Sequence, residues 1–313
     1  MWRSRRAFEA DYFASYKESG LQDGPKYQPM GATIIGMGAR RKAPKLPRKV
    51  AAALSVLDDL ILDAIIWYHS VVMVLWNKPP DLDKYFDRAI MALFMRVAQD
   101  SMVVRNLMEA GFDIQARNLL RSIEEHVDAI YFLCLQPAAC EQFVRTEDGE
   151  RANRFWWEHL RGARKVINKA FLKIVKEDAY VRELVEFRNQ ERSMLSAAHH
   201  PSYVACTMPF ISPYSSMNET RYLFGLPSEY SLRTGKLLFY VLAEAAVVSG
   251  ILNKEMDRLT IGGREADVDR LIRQGRKHLA MMLLLVVKNW SCPLFGTSKQ
   301  FEALMKRLPK EEF

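Results

Sequence analysis

Residues 112–135 read FDIQARNLLRSIEEHVDAIYFLCL. Within them Ala116, Leu120, Ile123, Val127, Ile130 and Cys134 step by 4, 3, 4, 3 and 4. An α-helix turns once in about 3.6 residues, so this rhythm draws one apolar stripe along a helix. A half-buried strand would instead alternate apolar and polar residues. The run stops short of Pro137, whose ring cannot continue a helix. Beside the stripe, Arg117, Arg121, Glu124 and Asp128 step by 4, 3 and 4, a polar row on the same helix. Arg121 and Glu125 also have the i, i+4 spacing of a helical ion pair. Such a row is either a network tying neighbouring helices together or a set of groups orienting a site.

The neighbouring segments have the same texture. Ala51 to Trp76 reads as a long apolar helix ended by Pro79 and Pro80. Asp81 to about Ala110 is a second helix, stopped by Gly111. The short connection makes it an antiparallel neighbour of the helix at 112–135. Residues 138–176 predict charged helix broken near Gly149 and Gly162, and 177–199 a further helix. Residues 201–227 read as a long connecting loop, of a length that often lies over a site. Helix returns at 231–259, again at about 265–289, and briefly at 298–308. No stretch requires a sheet. The expected fold is all-α, an antiparallel helical bundle over residues 49–313 preceded by an irregular basic N-terminal arm at 1–48.

The arm accounts for the charge. Of a formal +8, residues 1–49 hold 11 Lys/Arg against 4 Asp/Glu, and the rest 34 against 33. Arg40, Arg41, Lys42, Lys45, Arg48 and Lys49 cluster in ARRKAPKLPRK. This is either a flexible tail that packs on the body or a partner, or an arm tracking nucleic-acid phosphates. The four cysteines form no C-x-x-C pair and read as reduced core thiols. The opening MWRSRRAFEADYF lacks the apolar core of a secretory signal. The longest uncharged apolar runs, Ala64–Trp76 and Leu279–Val287, fall short of the roughly 20 residues that cross a bilayer. A cytoplasmic protein with no membrane partner is the expectation.

The residues most suited to chemistry lie at 188–202, RNQERSMLSAAHHPS. With a turn of about 100° per residue, Arg188, Arg192 and His199 share one helix face and Ser196 lies on the same side. His200 points elsewhere unless the helix has already ended, and Pro201 ends it at His199 or His200. Leu184, Phe187, Leu195 and Ala198 mark the core side. A histidine near neutral pKa beside an arginine suits phosphodiester cleavage: the imidazole moves the proton and the guanidinium holds the phosphate oxygens. That scheme needs no metal and no other cofactor. The competing reading is a His-capped helix end with arginines in surface ion pairs. Glu124 or Glu125 could orient Arg192 or a histidine from across the bundle, with His126 joining. Glu244, in the apolar run LLFYVLAEAAVV, needs a partner if buried, and Arg88 or Arg96 could supply it. Trp156–Trp157, near Arg154, Arg161 and Arg164, could stack bases, although adjacent tryptophans more often serve a core or an interface. His69, His159 and His278 lack ligand spacing. The paired Glu-x-x-His motifs of a di-metal bundle are missing.

Two motifs carry a resemblance. Residues 116–125 fit A-x-x-L-L-R-S-x-x-E, and residues 195–202 fit L-S-x-x-x-H-x-S. Over about residues 85–205 the chain resembles a family of bacterial helical proteins of unassigned function, related to the HEPN superfamily. That resemblance implies a bundle of four or five helices that often dimerises. It also implies, for many members, a metal-independent RNase acting in toxin–antitoxin, abortive-infection or CRISPR-linked defence. The superfamily signature is Arg, four to six residues, then His. Arg192 and His199 have six between them; Ser193 stands where the signature has Asn, Asp or His. The family's H-x-S phrase instead selects His200. The implied partners are RNA and a second protomer or a larger defence complex. Other HEPN relatives are non-catalytic nucleic-acid- or protein-binding modules, and that alternative remains open.

Overall fold

A computed structural model describes residues 48–76, 85–146, 148–175, 195–196, 229–253 and 266–289, all within one compact unit, Leu46–Phe313. Nearly all of these residues are helical and no strand occurs among them, so the chain is all-α. The elements are α1 (Arg48–Trp76), α2 (Tyr85–Glu109), α3 (Asp113–Leu135), α4 (Ala139–Val144), α5 (Gly149–Phe155), a π-helical turn (Trp156–Leu160), α6 (Ala163–Val175), α7 (Glu229–Leu252) and α8 (Ala266–Asn289). The expected arm and the expected loop at 201–227 lie outside the described residues. The last residue assigned to the arm does not: α1 begins at Arg48, one residue before the expected start of the bundle at Lys49.

The stripe on α3 behaves as its spacing demands. Ala116, Leu120, Ile123, Val127, Ile130 and Cys134 are all buried. The α2–α3 turn is closed as Gly111 predicts. Gly111 adopts φ 73°, its N–H bonds the Met108 carbonyl at 3.0 Å, and the Phe112 N–H bonds the Leu107 carbonyl at 2.8 Å. This is the Schellman arrangement, which places glycine at the left-handed position just past a helix end.

Helix α7 is the centre of the bundle, packed against α1, α2, α3 and α8. Every residue from Leu237 to Gly250 is buried, as a helix apolar on all sides must be. Its approach to α1 and α2 is close at Gly235, where a β-carbon would fall 2.4 Å from the Met108 methyl and 2.6 Å from Leu57 Cδ2. The helix ends at Leu252, earlier than the expected 259. Asn253 lies outside it, in keeping with the preference of asparagine for helix ends.

Helices α1 and α2 run antiparallel, but α7 does not run antiparallel to all its neighbours. Arg105 on α2 bonds Asp58 on α1 at 2.6 Å, while Tyr68 meets Phe94 further along, so α1 and α2 are antiparallel. Leu57 faces Gly235 and the Tyr68 hydroxyl donates to the Leu242 carbonyl at 3.0 Å, so α1 and α7 run in the same sense. The same holds for α3 and α7, joined at Asp113–Ser231 and Arg117–Thr234. Helix α8 returns against α1, with Asp63 near His278 and Trp67 Nε1 donating to the Ile272 carbonyl at 2.9 Å.

Among the described residues, two helices are long and apolar enough to cross a membrane by length and composition alone: Ala51–Trp76 and Ser231–Leu252. This corrects the expectation that no run is long enough. Counting uncharged runs stops at each carboxylate, whereas a helix carries an occasional charge without losing its apolar average. The α7 segment is 83% buried inside the bundle, against 56% for α1.

Candidate functional site

The polar row of α3 contacts three different parts of the chain. Arg117 is buried, and its Nε donates to the Thr234 hydroxyl on α7 at 3.1 Å. One turn earlier, the Ser231 hydroxyl donates to the Asp113 carboxylate at 2.8 Å. Arg164 on α6 donates to Asp128 at 3.0 Å. Between these ties, Arg121 donates to the Ser196 hydroxyl and lies 3.4 Å from Glu125. Glu124 and Glu125 are half-buried on the same helix. A guanidinium offers five donors in a fixed fork, so Arg121 can hold a carboxylate on its own helix and a hydroxyl from elsewhere at once.

The Arg121–Ser196 bond decides where a site can be sought. It brings the polar row of α3 against Ser196, a residue of the stretch that sequence spacing had joined to α3 only through the two glutamates. The group that reaches across is Arg121. Leu195, assigned to the core side, is buried at 1% exposure. Residues 195 and 196 are helical. Arg188, Arg192, His199 and His200 lie outside the described residues, as do Arg40, Arg41, Lys42 and Lys45.

His126 sits on the far side of α3, towards α2. Burial holds its imidazole below the ordinary histidine range. The Asp100 and Glu125 charges and the Ser122 backbone oppose that shift, while Arg96 reinforces it. Arg96 is bonded to Asp100 at 2.8 Å, and Arg88 is exposed. Glu244, for which the sequence offered Arg88 or Arg96, is a buried carboxylate. That carboxylate is buried with Arg276 of α8 around Tyr68, whose hydroxyl is raised by burial first and by Glu244 second, with Arg276 pulling the other way. The Arg276 guanidinium also lies 5.7 Å from the centre of the Trp67 ring. The sequence signal for Arg276 was slight: an arginine beside Gly275, the one small residue in that turn that lets Trp67 approach.

The cysteines of α3 and α4 are inert. Burial raises the Cys134 thiol strongly, and pushes Cys140 up to about 12, so neither is a thiolate near neutral pH. His159 stacks against Phe155, ring centres 4.8 Å apart, and His278 pairs with Asp63 at 3.2 Å on the surface. Among the described residues no group of three His, Cys, Asp or Glu side chains converges as metal ligands would.

Trp156 and Trp157 are not core residues. They are exposed at 39% and 56%, edge to face with ring planes at 89°. The core position in that turn goes to Phe155, which is buried. Arg161 lies 4.4 Å over the Trp157 ring, Arg154 pairs with Glu150, and Arg164 points inward to Asp128.

No protein-family model, curated protein or solved structure matches the chain. The HEPN resemblance therefore rests on the two quoted sequence motifs alone.

Proposed function

We propose that the chain is a metal-independent endoribonuclease of the HEPN type, acting as a defence or toxin effector. Arg192 is the phosphate clamp and His199 the general acid and base, with His200 as the alternative proton carrier and Arg188 in support. The observation that carries this reading is the hydrogen bond from Arg121 to Ser196. Ser196 stands four residues after Arg192 and three before His199. A half-buried, doubly engaged arginine on a rigid core helix is what a catalytic segment needs for support, since small losses of alignment are costly in rate. Both residues of this bond also belong to the motifs that carry the HEPN resemblance.

In this reading the histidine takes the proton of a ribose 2′-hydroxyl, which attacks the adjacent phosphorus. The same or the partner protomer's imidazolium returns a proton to the leaving 5′-oxygen. The arginine stabilises the charge on the non-bridging oxygens. Two protomers related by a two-fold axis bring two such faces together, and in-line attack requires single-stranded or looped RNA. Incubation with tRNA and total RNA in EDTA tests the proposal. Wild-type protein cleaves, Arg192→Ala and His199→Ala do not, and His200→Ala decides between the two histidines. Cleavage by wild type no faster than by Arg192→Ala removes the proposal.

A second reading, a non-catalytic helical binding module, is favoured by the ties Arg117–Thr234 and Asp128–Arg164, which occupy the α3 row with helix-to-helix contacts. It expects His199→Ala to leave function intact and deletion of residues 1–48 to abolish partner binding.

A further inference from the structure

The π-helical turn between α5 and α6 presents two indoles that the fold does not use. Phe155 fills the core at this point, stacked between Phe143 and His159 with ring centres 5.4 and 4.8 Å away. Trp156 and Trp157 face outward at right angles and make an aromatic corner. π-Turns widen a helix by one residue, cost hydrogen-bond geometry, and recur at functional sites. Both indoles lie at the surface while Phe155 keeps its place in the core.

Beside this corner lies an open groove of about 420 Å³ lined by Glu141, Gln142, Arg145, Arg151 and Arg154 among others. Its lining holds three guanidinium groups and one carboxylate. Gln142 fixes the groove to the aromatic turn: its amide donates to Glu158 at 3.2 Å and its oxygen meets His159 Nε2 at 2.9 Å. The three arginines have carboxylate partners, Glu141 at 2.7 Å, Asp148 at 3.4 Å and Glu150 at 3.1 Å. All six side chains are half or more exposed. Exposed pairs of this kind contribute little, so a phosphate exchanges for a carboxylate at small cost. Arg161 covers one face of Trp157, and the ring remains more than half exposed. Flat aromatic rings backed by arginine, next to solvated arginines, are the two components of sequence-tolerant single-strand binding.

We propose that the Trp156–Trp157 corner and the Arg145/Arg151/Arg154 groove form a binding surface for single-stranded RNA. A base stacks on Trp157, and the adjoining phosphates lie in the groove. The surface names where the substrate of the proposed nuclease is held and in that sense rests on that reading, but binding is measured without cleavage. Arg161 sets the indole plane through its cation–π contact, so it acts on the base through Trp157.

The test is fluorescence anisotropy with the full chain and a labelled single-stranded RNA of about ten nucleotides, a length in the range that such surfaces cover. Its riboses are 2′-O-methylated, so no 2′-hydroxyl is available for attack. Trp157→Ala weakens binding about tenfold or more, Trp157→Phe retains most of it, and Arg151→Glu with Arg154→Glu weakens it and flattens its salt dependence. Trp76→Ala, at an exposed tryptophan on α1, leaves binding unchanged. The same oligonucleotide as a duplex binds more weakly. Wild-type and Trp157→Ala affinities within about twofold overturn the proposal. So does wild-type binding to phosphatidylglycerol vesicles through Trp157 with no binding to RNA. Intact binding of the methylated strand with no cleavage of unmodified RNA supports this surface and removes only the nuclease.

Discussion

The Arg121–Ser196 bond can be measured by a double-mutant cycle with Ser196→Ala and Arg121→Met. Methionine keeps the length and apolar stem of the arginine without its charge. A hydrogen bond to a charged group contributes about 1.5–3 kcal/mol when fully buried. The Arg121 side chain is 21% exposed and also lies near Glu125, so after Ser196→Ala the guanidinium keeps one partner and some water. That reduces the expected loss for Ser196→Ala to about 1 kcal/mol. Arg121→Met loses the same bond and the i, i+4 ion pair, which adds about 0.3–0.5 kcal/mol, for about 1.5 kcal/mol in all. The two losses share one interaction, so the double variant costs about 1.5 kcal/mol and the coupling is about 1 kcal/mol. Urea unfolding followed by circular dichroism reads this. With a slope of roughly 3 kcal/mol per molar for a domain of this size, 1 kcal/mol moves the midpoint by about 0.3 M. A coupling below about 0.3 kcal/mol, with both single variants folded, would mean that Arg121 does not hold the 195–196 segment. The support for the proposed catalytic stretch would then fall with it.

Three further outcomes follow from the core. Glu244 and Arg276 are both buried around Tyr68; if their charges compensate one another, Glu244→Leu lowers stability by about 3–5 kcal/mol and adding Arg276→Met recovers at least half of the loss, and a double variant no better than additive in urea unfolding refutes the compensation. Gly275→Ala sets a β-carbon 2.7 Å from Trp67 Cδ1, and Trp67 is held by its bond to Ile272, so overpacking of about 1–3 kcal/mol exceeds the helix-propensity gain of about 1 kcal/mol; a raised melting temperature in scanning calorimetry contradicts this. His126 has a depressed pKa in the fold, so the unfolded chain binds its proton more tightly. The stability it contributes is present above the unfolded value near 6.5 and is lost as pH falls through it, by at most about 1.4 kcal/mol per pH unit. His126→Gln flattens the urea midpoint between pH 7 and 5, with Asp100, Arg96 and Glu125 around the position in both proteins; an unchanged slope refutes the assignment.

What the sequence made legible was periodicity, and what it hid was register between helices. The stripe on α3 is a property of one helix, so its spacing predicted six buried positions, while Arg117, Ala129, Tyr131, Phe132 and Leu133 are buried by neighbours that the spacing does not report. Gly111 is a local stop, and it closes the α2–α3 turn as read. The Arg121–Glu125 pair is likewise local. By contrast, the partner of Glu244 depends on which turn of α8 lies opposite α7. Composition favoured Arg88 or Arg96, yet α7 turns Glu244 towards Tyr68 and Arg276. The tryptophan pair was misleading for another reason. With Phe155 inward, the two residues that follow it turn about 100° and 200° away on a helix, so the tryptophans face out and Phe155 takes the core position. The membrane-length apolar helices were missed because isolated carboxylates were taken as the ends of apolar runs.

The double role of α3 sets the terms on which its polar row can be judged. Its apolar stripe is the core, and its polar row ties α7, α6 and the segment at 195–196. A variant at Arg121 that lowers activity therefore does not by itself place Arg121 in the chemistry, because loosening the fold gives the same result. The distinction lies in proportion. If Arg121 only positions Ser196, then Ser196→Ala and Arg121→Met lower RNA cleavage by similar factors, and the second change adds little in the background of the first. If Arg121 also meets a phosphate, Arg121→Met lowers cleavage far beyond Ser196→Ala while the stability cycle stays the same. Arg121→Lys sharpens the comparison: lysine keeps the charge a phosphate needs but lacks the fork that spans Glu125 and Ser196. Recovery of activity without recovery of coupling would move Arg121 from the scaffold into the site.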